Sequence, residues 1–309
     1  MKRVLITGSN GLLGQKLAEL ISRCANFELL LTSRQEHSVF DEDAVKYMRL
    51  DATRRQDVRS AVESFEPDCI VNAAAVTDVD VCETERERAW RANVGAVEHL
   101  SYAAKLAGAR LIHLSTDYIF DGKQGPYSET DRPNPVSYYG KTKLASENVL
   151  QLSGGPFAIV RTMVLYGVGF GVKENFALWL ARNLREEKPV KVADDQVGNP
   201  TLADDAAFAI FKLLELERTG IYHIAGSDLV SRYEFALALA RLFGFNKKLI
   251  TPVKSSSLKQ TAPRPLKSGF ITLKAETDLG MKMSGIEHGL TVLKNQMSVQ
   301  AKHRGKNDS

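Results

Sequence analysis

The sequence predicts an α/β protein: a doubly wound, mainly parallel sheet with a smaller C-terminal α/β lobe. Three observations carry that expectation. Short runs rich in Val, Ile and Leu alternate with amphipathic helical segments through the first half of the chain. Those runs are apolar at consecutive positions, the pattern of strands covered on both faces of a parallel sheet. A glycine-rich turn joins the first strand run to the first helical segment.

Taken in order, RVLIT (3–7) reads as the first buried strand and LLGQKLAELIS (12–22) as the first helix. FELLLT (27–32) and KYMRLD (46–51) follow as strands two and three. A helix around Asp57–Phe65 leads to DCIVNAAA (68–75), the fourth strand. One long helix is expected over 84–107, then ARLIHLST (109–116) as the fifth strand. SYYGKTKLASENVLQ (137–151) reads as a helix feeding FAIVRT (157–162), the sixth. After about Gly167 the alternation loosens into VKVADDQVGNPT (190–201), a helix near 204–216, GIYHIAG (220–226) and the helix YEFALALARLFG (233–244). The expected division is a dinucleotide-binding domain of residues 1–167 with about 196–225, and a substrate lobe of 168–195 with 226–297. The polar, basic stretch 298–309 is expected to be a frayed tail.

The bulk numbers exclude several classes. A chain of 309 residues, 44% hydrophobic and 25% charged, has the make-up of a soluble globular protein. A formal charge of +4 with dispersed basic residues argues against nucleic acid as a partner. Cys24, Cys69 and Cys82 are odd in number and lack metal-ligand spacing, which favours a reducing compartment and offers no metal site. No apolar run approaches the roughly 18–20 residues of a membrane span, and the start MKRVLITGSNG does not read as a signal peptide. The expectation is a cytoplasmic protein acting on a small molecule, with a homodimer left open.

The turn T7-G8-S9-N10-G11-L12-L13-G14 sits where a Rossmann-type sheet binds dinucleotide phosphates. Gly8 suits a tight turn, Gly11 close approach of backbone to a pyrophosphate, and Gly14 close helix–strand packing. Asn10, Leu12 and Leu13 complete the cradle, whose helix N-terminus offers free N–H groups. The bland alternative is a turn that merely needs glycine. Strand two ends L31-T32-S33-R34 without an acid, so Arg34 and Ser33 suit an adenosine 2′-phosphate. NADP(H) is therefore the preferred cofactor, with NAD(H) admitted. Otherwise Arg34 is a surface cation. Asp51 is placed at the adenine end, and Ala73, Ala74 and Ala75 where the backbone passes close to the cofactor.

Strand five ends L114-S115-T116-D117, at the edge where open α/β sheets bind ligands. On the following helix Tyr139 and Lys143 are four apart and share a face. Reduction of a ketone builds charge on its oxygen, which calls for a proton donor and a hydrogen-bond donor. Tyr139 is the proposed donor, Thr116 the hydrogen-bond partner, and Lys143 the cation that lowers the phenol's pKa and holds the nicotinamide ribose. Tyr138 is expected to line the pocket or pack. Asn93 has two readings, a relay-water anchor or a structural side chain.

TGxxGxxG, NAAA, the strand-five Ser/Thr and Tyr-x-x-x-Lys together resemble the extended short-chain dehydrogenase/reductases. STDYIFDG (115–122), PYSETDRPNPVSYYGKTKLASE (126–147), DQVGNPT (195–201) and APRPLKS (262–268) resemble the dTDP-4-dehydrorhamnose reductase family, over roughly Lys2 to Leu293. The resemblance implies reduction of the 4-keto group of a nucleotide-sugar substrate, dTDP-4-dehydro-L-rhamnose, to dTDP-L-rhamnose for surface polysaccharide. It further implies that Thr77, Val79 and Tyr118 line the sugar pocket and that Arg264 meets the diphosphate. Two positions depart from the family, which often has Trp where this chain has Val164 and Arg232. These departures keep open another 4-keto nucleotide-sugar reductase or epimerase. A non-catalytic subunit like the methionine adenosyltransferase β subunit shares the fold and is the alternative of another class.

Overall fold

The computed structural model describes residues 1–41 and 45–307. The first half comprises β1 (Lys2–Thr7), α1 (Leu12–Ile21), β2 (Phe27–Ser33), β3 (Lys46–Arg49), α2 (Arg55–Phe65), β4 (Cys69–Asn72), α3 (Val79–Thr84), α4 (Arg86–Trp90), α5 (Ala96–Ala107), β5 (Arg110–Thr116), α6 (Tyr138–Ser153) and β6 (Phe157–Thr162). The second half adds β7 (Leu165–Tyr166), α7 (Phe176–Arg185), β8 (Val190–Ala193), β9 (Val197–Gly198), β10 (Thr201–Leu202), α8 (Ala203–Glu215), β11 (Gly220–His223), β12 (Val230–Ser231), α9 (Arg232–Phe243), β13 (Ile250–Val253), α10 (Leu273–Leu279) and α11 (Ile286–Asn307).

Seven parallel strands form the main sheet in the order β11-β6-β5-β4-β1-β2-β3. The order reverses between β1 and β4, and that switch point is where such sheets open a ligand crevice at their carboxyl ends. Strand periodicity distributes the apolar residues between two faces. Val4 and Ile6 of β1 join α1, α8 and α10 in one core, while Leu5 joins α2 and α5 in the other. A third core lies in the smaller lobe, where α7, α9 and the first turns of α11 enclose Leu180, Phe235, Leu239 and Leu290.

The structure corrects three expectations. The long helix of 84–107 is interrupted: α3 and α4 are separated at Glu85, and a π-helical turn over Arg91–Gly95 precedes α5. The stretch from Ser298, expected as a tail, continues as helix α11 to Asn307; residues 308–309 lie outside the described residues. The segment assigned to the smaller lobe includes α10, yet Ala275, Leu279 and Met283 pack into the first core. Among the described residues no helix is long and apolar enough to cross a membrane.

Candidate active site

The carboxyl ends of β1, β4, β5 and β6 open into a cleft of about 940 Å³. Its floor at one end is the turn after β1. Gly8 has φ +69, a conformation that favours glycine, and a Cβ there would lie 2.8 Å from the Ala74 amide nitrogen. The α1 N-terminus at Gly11 has no side-chain cap and no acid in its first turn. Its unpaired N–H groups and positive dipole end therefore suit a phosphate. Leu12, Leu13, Gly14, Ala73, Ala74 and Ala75 line the same cleft.

The end of the cleft beside β2 is partly rearranged relative to expectation. Arg34 is exposed and lines the cleft, free to approach a ligand. Ser33 is less free, since its hydroxyl donates to the Tyr47 hydroxyl at 2.8 Å, while Tyr47 donates to the Gln35 carbonyl. Burial works to raise the Asp51 pKa, but hydrogen bonds from Thr53 and the charges of Arg34 and Arg54 outweigh it and lower it. The Asn10 side chain ties down the segment after β2, donating to Gln35 and to the His37 carbonyl. Only its backbone is left for a cofactor.

At the other end stands α6. Ser137 caps it by accepting from the Gly140 amide at 3.1 Å. Gly140 packs its bare backbone against the Tyr118 carbonyl, where a Cβ would collide. These two contacts aim Tyr139 into the cleft. Tyr139 and Lys143 face inward and buried, whereas Lys141 is exposed, so the helical register is the one expected. Tyr138 packs, with the Arg86 guanidinium 5.1 Å above its ring.

Thr116, Tyr139 and Lys143 line one wall of the cleft together. Burial pushes the Tyr139 phenol well above its usual pKa; the Thr116 hydroxyl opposes this and the Asp117 charge adds to it. Lys143 is not among these leading influences, because its amine turns the other way. It donates to the Leu114 carbonyl at 2.6 Å and lies 3.0 Å from His113 Nε2. Burial lowers the Lys143 pKa to about 8, with Glu147 pulling upward. The expectation that Lys143 lowers the tyrosine pKa thus does not describe this arrangement. Asn93 is engaged at both ends of its amide, accepting from the Val76 amide and donating to the Val76 carbonyl and the Thr142 hydroxyl. Of its two readings, the structural one fits.

Thr77, Val79 and Tyr118 also line the cleft, and the Tyr118 ring stands edge-on to Tyr139 at 5.5 Å. Arg264 is near enough to Tyr118 for its charge to act there but does not line the cleft; it is paired with Asp80 at 2.9 Å and donates to the Ala262 carbonyl. Val164 lines the cleft with φ +47, a region that β-branched residues rarely enter. Arg232 stacks on Phe176 at 5.0 Å and lies close enough to Asp117, Tyr118 and Arg264 to feel their charges. Two neighbours were missed by sequence reasoning. Buried Asp117 accepts from the Thr116 hydroxyl at 3.0 Å and from Ser268 at 2.5 Å. His113 contacts Lys143 from the neighbouring strand. Asp117 adjoins a predicted catalytic residue, but nothing local points to Ser268, which arrives from 151 positions away.

The family of the RmlD substrate binding domain matches residues 1–298. The chain is 33% identical over 302 residues to a dTDP-4-dehydrorhamnose reductase of Aggregatibacter actinomycetemcomitans, covering 94% of this chain and 97% of that one. It superposes on a dTDP-4-dehydrorhamnose reductase of Clostridium acetobutylicum with a TM-score of 0.86 at 31% identity, covering 96% and 99% of the two chains. A Bacillus anthracis dTDP-4-dehydrorhamnose reductase in complex with NADP gives 0.82 at 30% identity, covering 95% and 99%. With the glycine turn, the buried tyrosine and its threonine and lysine all in one cleft, the chain belongs to the dTDP-4-dehydrorhamnose reductase family.

Proposed function

We propose that this protein reduces the 4-keto group of a nucleotide-activated deoxysugar, dTDP-4-dehydro-L-rhamnose, to dTDP-L-rhamnose. The observation that carries this reading is the convergence of Thr116, Tyr139 and Lys143 on the cleft that the glycine turn opens. When bound, a reduced nicotinamide dinucleotide supplies the hydride. The turn from Gly8 to Gly14 and the α1 N-terminus would hold its diphosphate, and Arg34 would meet a 2′-phosphate, which favours NADPH over NADH.

The chain's own residues manage the charge on the substrate oxygen. Tyr139 gives its phenolic proton to that oxygen as charge develops. Its raised pKa in this structure means that a cation must come near it for the proton to leave at neutral pH, and Lys143, one turn along the helix, can supply that charge. Thr116 donates a second hydrogen bond when its hydroxyl turns from Asp117 to the substrate. Tyr118 and Val79 wall the sugar, keeping water from the reacting centre.

A second reading keeps the chemistry and changes the sugar. It is favoured by Val164 and Arg232, whose side chains differ in shape and charge from the tryptophans frequent in the family. Both readings are tested by turnover of purified protein with a panel of 4-keto nucleotide sugars and each reduced dinucleotide. The dTDP-rhamnose precursor is expected to give the highest kcat/KM. Faster turnover of another sugar selects the second reading. Loss of both requires that no member of the panel be reduced.

A further inference from the structure

A row of buried polar side chains crosses the sheet beneath the cleft, and the strand register creates it. Thr7 of β1 is paired with Asn72 of β4, and Asn72 with His113 of β5. Thr7 Oγ1 donates to Asn72 Oδ1 at 2.7 Å, Asn72 Nδ2 lies 3.1 Å from His113 Nδ1, and His113 Nε2 lies 3.0 Å from both Lys143 Nζ and Ser146 Oγ. All five residues are buried, so every donor must find an acceptor within the protein.

That requirement settles which ring nitrogen carries the proton. The Ala74 amide donates to Asn72 Oδ1 at 3.2 Å, which fixes the oxygen end of the amide. Asn72 Nδ2 is therefore the donor toward His113, and His113 Nδ1 must accept. Burial and the nearby Lys143 both lower the His113 pKa well below its ordinary value, so the ring is neutral. A neutral imidazole with Nδ1 accepting carries its hydrogen on Nε2. Ser146 uses its own hydrogen on the Lys143 carbonyl at 2.7 Å, and so accepts from that N–H. Lys143 Nζ faces the same N–H. An ammonium would set hydrogen against hydrogen there, whereas an uncharged amine accepts from Nε2–H and still donates to the Leu114 carbonyl.

We propose that His113 is a positioning residue for the reduction: its Nε2–H favours the uncharged form of the Lys143 amine docked on Leu114, and turning to the cleft favours the ammonium. The inference rests on the reductase reading for its role, but the geometry stands without it. The groups around Lys143 agree. Glu147, the nearest acid on α6, is bound by Arg161 and Ser115. Asp117, after β5, is taken by Thr116 and Ser268. Tyr139 on α6 and Cys82 on α3 are both held neutral by burial, with Cys82 raised to about 11. The Lys143 pKa near 8 places the change within the working range of an enzyme. The consequence is that above about pH 8 the cation needed beside Tyr139 appears together with the bound dinucleotide.

Two measurements on the free protein test this, and neither needs substrate. Nitrogen-15 NMR of His113 is expected to show protonated Nε2 and bare Nδ1; the opposite tautomer overturns the proposal. Carbon-13 NMR of the lysine Cε is expected to show Lys143 titrating near pH 8. In His113→Gln, whose carbonyl can accept from an ammonium, the titration should move up by about one pH unit. An unmoved or lowered titration in folded His113→Gln overturns it. Calorimetry of NADP(H) binding to the wild-type protein at about pH 9, in buffers of different ionisation heat, should show proton uptake. Binding without uptake also overturns it. Failure of the sugar panel with these results intact would count against the reductase reading alone.

Discussion

Two buried cations meet the same helix and are treated in opposite ways. Arg161, at the end of β6, is 3% exposed and makes a two-pronged contact with Glu147, at 3.0 Å from Nε and 2.7 Å from Nη2. Ser115 donates to the same carboxylate, and His223 and the Phe120 ring complete the surroundings. Lys143, one turn earlier on α6 than Glu147, has a carbonyl and an imidazole for neighbours, and among the described residues no carboxylate is bound to it. A compensated buried charge is architecture: it locks α6 to β5 and β6. An uncompensated one is held at a cost to folding, and at the edge of a reaction cleft that cost marks chemistry. Perturbing the two regions should therefore produce opposite phenotypes.

The largest effect belongs to the cleft. Tyr139→Phe should lower turnover by about 10²–10⁴-fold, the usual contribution of a general acid, with little change in thermal midpoint. Retention of more than a tenth of wild-type turnover would remove Tyr139 from the role of proton donor. The comparison then has its mirror image in Glu147→Gln, which strips Arg161 of its charge partner. Breaking a buried pair typically costs about 3–5 kcal/mol, read here as a lower urea midpoint. An unchanged midpoint would mean that the ion pair is not what locks the helix.

An exposed cation extends the scale. Arg34 is exposed and lines the cleft beside the end of β2. Arg34→Ala should weaken NADPH binding about ten- to a hundredfold, the worth of a charge-assisted hydrogen bond to phosphate, and leave NADH nearly unaffected. Equal losses in the two affinities would show that Arg34 does not read the 2′-phosphate.

The smallest effect is in stability and has the less intuitive sign. Lys143→Met should slow the reaction yet raise folding stability at pH 7, by roughly 1–3 kcal/mol. The folded-state pKa near 8 lies below the ordinary lysine value of 10.5. Below pH 8 both states hold the proton and the penalty of burying it is fully present. Between about 8 and 10.5 the unfolded chain binds more protons than the folded one, so wild-type stability climbs toward the variant's as pH rises. Equilibrium unfolding at several pH values checks this. A stability difference that does not shrink with pH would show that Lys143 is not charged when the folded protein is at neutral pH. Lys141→Met, on the exposed side of the same helix, should change neither quantity by more than about 0.5 kcal/mol.

Much of this was legible in the chain. The six strands of the first half, the glycine turn and the four-residue spacing of Tyr139 and Lys143 are local patterns, and local patterns survive into structure because backbone periodicity is set by steric rules that act over a few residues. The buried face of α6 was harder to read. It carries Tyr139, Thr142, Lys143, Ser146 and Glu147, so a search for apolar periodicity finds no core-facing stripe there. The π-helical turn at Arg91–Gly95 was equally hidden. It sets Asn93 on the backbone of Val76 and the hydroxyl of Thr142, partners 17 and 49 residues away.

The sequence by itself determined the parallel α/β sheet, the place of the glycine turn after β1 and the helical register that turns Tyr139 and Lys143 inward. Only the tertiary structure decided what those two side chains meet. Lys143 rests on Leu114 and His113 because the register of three strands lines up Thr7, Asn72 and His113 beneath it. Asp117 is claimed by Ser268, and α10 folds back onto the first core. Each of these outcomes is a contact between distant parts of the chain. Such contacts are settled by which surfaces must share a dry interior and satisfy one another's hydrogen bonds there, a condition that no local spacing encodes.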